Sequence, residues 1–159
     1  MKTRTGFVSN SSSSSFVIAL DEKNYADITA ESVHKQLWGD EIIRDGNLTS
    51  MQVAEKIADQ VRDKKASSRA ELCDAINTDI DYEQFRVQSK TVESRQDVDW
   101  DQVDKADSKA RKAIIKELAS EFKGKKLYVA KFGDEYGQGD IEHGDLMNGH
   151  YLIKRYSHH

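Results

Sequence analysis

Apolar residues fall along this chain in three kinds of run. Residues 16–20 read Phe-Val-Ile-Ala-Leu without interruption. A short continuous apolar run between polar segments predicts a strand buried on both faces. Elsewhere the spacing is helical. Thr29 precedes Val33 and Leu37, with Ile28 placed to pack on Val33 and Gly39 placed to end the helix. Thr49-Ser50-Met51-Gln52 is a capping box, Leu48 and Val53 form a staple, and Val53, Ala54, Ile57, Ala58 and Val61 make one stripe. Ser68-Arg69-Ala70-Glu71 is a further capping box ahead of Leu72, Cys73 and Ile76. Trp100, Val103, Ala110, Ile114, Leu118 and Phe122 share a face of a predicted long helix over 100–123, with Gly124 as its cap. Residues 127–132 and 151–156 read as strands. In 80–88, Ile80 and Tyr82 alternate out of phase with Phe85 and Val87, the pattern of a strand with a bulge.

This order of elements predicts an α+β fold. Strands 16–20, 127–132 and 151–156 should form a small, mainly antiparallel sheet covered by about four helices. The last two strands should pair with each other through the connection 133–149, which holds five of the nine glycines. Residues 1–15, with Ser9 and Ser11 to Ser15 around Asn10, form a serine-rich leader. Residues 16–159 form a single domain.

Composition narrows the class. A chain of 159 residues buries roughly 70% of its unfolded surface and needs no disulfide or metal for stability. Cys73 is the single cysteine and Pro is absent. The apolar run 16–20 follows a serine tract rather than a cleavage-site pattern, and no apolar run approaches a membrane span. A cytoplasmic location is expected. The net charge of −4 disfavours binding driven by phosphate neutralisation, so nucleic acid is not the expected partner. Residues 74–107 hold ten acids against four bases, whereas 108–126 hold seven bases against Glu117 and Glu121. An acidic start and a basic end are what the dipole of a long helix favours.

Candidate chemistry concentrates near the end. The segment 133–145 packs five acids and His143 between glycines, and His150 follows. Carboxylate and imidazole oxygen and nitrogen donors suit a divalent ion such as zinc or manganese, which can activate water. On that reading Asp140, His143, Asp145 and His150 would be the ligands. The spacing matches neither the helical His-Glu-x-x-His pattern nor a calcium loop, and a polar connector is the simpler expectation. His34 reads as a half-exposed helix residue, Cys73 as a small buried one, and Trp38 as part of the helix end.

The opening Gly6-Phe7-Val8-Ser9-Asn10-Ser11-Ser12-Ser13-Ser14-Ser15-Phe16 resembles the start of a scattered group of uncharacterised bacterial and phage proteins. Some of these also resemble this chain in an aspartate/glycine turn, a Glu-His-Gly motif and a closing histidine, here 134–144 and Ser157-His158-His159. The resemblance implies a microbial or phage protein and carries no chemistry.

The sequence holds no established catalytic or cofactor signature. Its leading reading is therefore a non-catalytic protein-binding or assembly protein without a cofactor, whose partner is another protein or a further copy of itself. Phe7, Asn10, Ser11, Ser12 and Ser13 of the leader are the candidate binding residues. The alternative is a metal-dependent hydrolase or nuclease built on 134–150.

Overall fold

The computed structural model describes residues 13–21, 28–62, 64, 66–133 and 138–158. The fold is α+β. A three-stranded antiparallel sheet is built from β1 (Ser13–Leu20), β6 (Lys126–Gly133) and β7 (Ile153–His158). Five helices accompany it among the described residues: α1 (Ala30–Trp38), α2 (Ser50–Val61), α3 (Arg69–Ala75), α4 (Trp100–Glu121) and the short α5 (Gly139–His143). Two small antiparallel hairpins complete it, β2 (Arg44–Asp45) with β3 (Leu48–Thr49), and β4 (Arg86–Gln88) with β5 (Gln96–Val98).

The sheet order is β6-β1-β7. The expected pairing of the last two strands is therefore corrected: β1 lies between them, with Leu20 opposite Lys126 on one side and Ile18 opposite Ile153 on the other. The reason lies in the apolar run itself. Phe16, Val17, Ile18 and Ala19 are fully buried, so both faces of this strand need cover, and the central position supplies it. Each such Val, Ile or Phe contributes about 1.5–3 kcal/mol by leaving water. The strand also begins at Ser13, three residues inside the segment assigned to the leader, and Ser14 and Ser15 are buried with it. Phe7, Asn10, Ser11 and Ser12 lie outside the described residues. Ser13 is the exposed first residue of β1.

Local signals set the helices. Thr29 and Thr49 each close a capping box, with Ser32 and Gln52 as the reciprocal partners, and Gly39 ends α1 at φ +75°. Ser68 accepts from the Glu71 amide to start α3. α4 stops at Glu121 with Phe122 as its cap, and Gly124 follows at φ +86°, so Lys123, Lys125 and Lys126 stand beyond the helix. The expected bulged strand over 80–88 is instead a 3-10 turn, Tyr82–Phe85, running into β4. The expected loop after β6 contains α5. No described helix is long and apolar enough to cross a membrane.

α1 and α2 pack together, α2 and α3 reach β6, and α3 also reaches β1. α4 rests mainly on α3 and the 3-10 turn, and buries only Val103 and Leu118 within its length. Two expectations about single residues change here. His34 is buried, its Nε2 2.7 Å from Ser50 Oγ, which also accepts the Ile43 amide at 2.8 Å. Cys73 is half-buried rather than buried.

Candidate functional site

The serine tract and the Glu-His-Gly motif meet in space. Ser14 lies opposite Phe132 on β6, and Phe16 lies opposite Arg155 on β7. Alternation along a strand puts Ser14, Phe16, Phe132 and Arg155 on one face of the sheet. The Phe16 and Phe132 rings meet edge-on at 5.8 Å. α5 lies against β6 and brings fully buried Glu142 to the Ser14 end of that face.

Ser14 Oγ donates to Glu142 Oε1 at 2.8 Å and accepts from Arg155 Nε at 3.0 Å. A guanidinium can only donate, so the serine must accept from Arg155 and direct its own proton to the carboxylate. The Arg155 terminal nitrogen lies 3.7 Å from Glu142 Oε1. A carboxylate this dry requires such partners, because burying an unpaired charge is prohibitive. His143 Nε2 stands 3.5 Å from Glu142 Oε2, and its side chain is half exposed. The Asn148 amide donates to the Glu142 and Gly144 carbonyls at 2.9 and 2.6 Å, capping the end of α5.

Beside this network is a cavity of about 630 Å³ between the turn after β2 and the end of α5. Asp45, Asp140, His143 and Asp145 line it. Gly144 is held there by close approach: a Cβ would collide with the Asp140 carbonyl oxygen and sit 2.7 Å from Asp45 Oδ2. The same Asp45 oxygen accepts the Asp145 amide at 2.9 Å.

Three of the four expected metal ligands, Asp140, His143 and Asp145, thus border one cavity. The fourth does not, which corrects the proposed set. His150 lies against the end of α1, where Nε2 donates to the Leu37 carbonyl and Nδ1 accepts the Leu152 amide at 3.1 Å. Its ring stacks on Tyr151 and meets Trp38 edge-on at 5.9 Å. Both nitrogens are committed to backbone, so this histidine ties α1 to the start of β7. Trp38 assists, donating to the Leu146 carbonyl at 3.2 Å. Among the described residues, no three His, Cys, Asp or Glu side chains converge as a metal site would require.

A second cavity, about 420 Å³, opens at the start of α4. Asp99 caps that helix through the Gln102 amide at 3.3 Å and donates its own amide to the Phe85 carbonyl at 2.8 Å. This junction sets Tyr82 beside Trp100, ring centroids 5.7 Å apart and planes at 48°. They are 52% and 49% exposed, far more than aromatic side chains of this size in a core. Half-buried Ile80 and buried Val103 lie on its wall, with Asp79, Asp81, Asp104 and Asp107 around them. Asp107 is held by Arg111 Nε at 2.8 Å and by the Thr78 hydroxyl. Arg111 in turn donates to the Cys73 and Ile76 carbonyls.

Sequence reasoning misses this cavity, because Trp100 has the right spacing for the apolar face of α4 and reads as part of it. The available signal is that Tyr82 and Trp100 are the aromatic residues, with Phe85, inside the acidic stretch 74–107. Comparison of the chain with protein-family models, curated proteins and solved structures finds no match.

Proposed function

We propose that this chain is a non-catalytic protein-binding or assembly protein, with its partner-facing surface centred on Tyr82 and Trp100. The exposed, adjacent Tyr82–Trp100 pair on the rim of a cavity carries the reading. Tyr and Trp bring large, rigid contact area and dominate the energetics of protein interfaces. Neither ring is needed to fill the core. The partner is a protein rather than a nucleic acid, because the net charge of −4 and the carboxylates around the rings repel phosphate. The Glu142 network fits the same reading as a structural clamp: its carboxylate faces Ser14 and Arg155 and is closed to solvent. The resemblance of the leader to bacterial and phage proteins fits a virion component or host-interaction factor, with Phe7, Asn10, Ser11, Ser12 and Ser13 as further contacts.

The hydrolase alternative draws on Asp140, His143 and Asp145 around one cavity. The loss of His150 from that set leaves the binding reading the better supported. The experiment is copurification of the full chain from its native lysate. A stoichiometric protein partner is expected, and a chain recovered alone and monomeric overturns the reading.

A further inference from the structure

We infer that the Tyr82–Trp100 cavity receives a guanidinium or ammonium group, an arginine or lysine side chain presented by a basic segment of the partner. The inference rests on the protein-binding reading and specifies what the partner must carry.

Three properties of the cavity select a cation. The first is aromatic. Two half-exposed rings, 5.7 Å apart, line the cavity, and cations are drawn to aromatic faces, to Trp most strongly. The second is charge. Four carboxylates line the cavity, Asp79, Asp81, Asp104 and Asp107, and Arg111 engages Asp107. Asp81 uses Oδ1 to accept the Glu83 amide at 3.1 Å, which leaves its other oxygen for a ligand. Asp79 is exposed and has no hydrogen bond or ion pair among the described residues. The third is the apolar wall of Val103 and Ile80. Arginine and lysine carry a methylene stem that packs on such a surface while the charged head stays near water and carboxylates. The carboxylates repel an anion, and a neutral apolar side chain leaves them without a countercharge.

The chain's own lysines do not supply the group by symmetric pairing of α4. Lys105, Lys109, Lys112 and Lys116 are exposed on that helix at spacings that put them on one outward face. Two copies paired through the centre of that face would set these lysines against one another. The inference commits to a basic segment of a different protein as the occupant.

The test is a titration of the full chain with acetylated, amidated tri-arginine and tri-lysine peptides, with the citrulline analogue as the uncharged control. The Trp100 indole N–H resonance is followed by NMR and assigned by its disappearance in Trp100→Phe. A saturable shift with the two basic peptides is expected, with the citrulline peptide weaker by about tenfold or more. The Trp38 indole should not move. The double change Asp79→Asn, Asp81→Asn should weaken the arginine peptide by a similar factor, and the side-chain amide introduced by Asp81→Asn retains an oxygen for the Glu83 backbone amide. No saturable shift, or an equal response to citrulline, overturns the inference. So does a Trp100 shift on simple dilution of the chain, which would identify a second copy as the occupant. If the peptides fail but Trp100→Ala still loses the copurified partner, the cation inference falls and the binding reading stands. If Trp100→Ala keeps the partner in full, the placement of the partner surface at Tyr82 and Trp100 falls, and the cation inference falls with it.

Discussion

Ser14 shows how far a single residue's role departs from its composition class. A serine in a tract of serines looks like solvent-facing chain, yet its hydroxyl lies between Arg155 and buried Glu142. Ser14→Ala removes a donor from a dry carboxylate and should cost about 1–3 kcal/mol. Urea denaturation checks it, and a loss under about 0.5 kcal/mol, the range of an ordinary surface change, would show that the hydroxyl does not support Glu142. Tyr156 gives a pH test. Its burial, followed by the charges of Glu121 and then Glu117, holds its hydroxyl pKa above the usual tyrosine value. The folded state then keeps a proton that the unfolded chain releases near pH 10. The contribution to stability is complete below about pH 10 and is lost as pH rises through the folded pKa. Stability should therefore fall above about pH 10, and Tyr156→Phe should flatten that part of the alkaline slope. An unchanged slope in the variant would contradict the assignment. His34, Cys73 and His150 were not legible at this scale, because their burial and partners come from Ser50, Arg111 and the end of α1.

At the scale of elements, the helices were legible wherever the chain carries its own start signal. Thr49 with Gln52 and Thr29 ahead of Val33 fix α2 and α1 by contacts within a few residues. β2, β3, β4 and β5 have only two or three residues each, too few for any period to show. The true start of β1 was hidden for a different reason. Ser13, Ser14 and Ser15 have no apolar signal, and their place in the sheet depends on β6, β7 and Glu142. Two shortened chains test this, one beginning at Ser13 and one at Phe16. Both lack residues 1–12, so their difference isolates the serine end of β1. The shorter chain loses the ladder opposite Lys131–Gly133 and Tyr156–His158 together with the Ser14 hydroxyl. It should be less stable by about 3 kcal/mol or more, at roughly 1 kcal/mol per lost hydrogen bond. Equal stability of the two would return Ser13–Ser15 to the leader.

For the whole molecule, α+β class and an antiparallel sheet followed from the element order. Strand order did not. The continuous apolar run of residues 16–20 was itself a signal for the centre of a sheet, since β6 and β7 carry polar positions that suit edges. The two sequence motifs converge because β1 is central: Ser14 and Glu142 are 128 residues apart and share a hydrogen bond. The aromatic cavity is equally non-local, joining the turn at Tyr82 to the first turn of α4 through the Asp99–Phe85 contact. That placement puts the proposed partner surface at α4, the helix that rests on α3 and the 3-10 turn rather than on the sheet. A loss of contact there should leave the sheet and its core unchanged. The most direct measurement is the amount of partner retained from native lysate by Trp100→Ala relative to the unaltered chain, with both shown to be folded by circular dichroism. Removing a central interface tryptophan costs about 2 kcal/mol or more, so affinity should weaken by at least about thirtyfold and the retained partner should drop sharply. Equal retention by the two chains would contradict a partner surface at Tyr82 and Trp100.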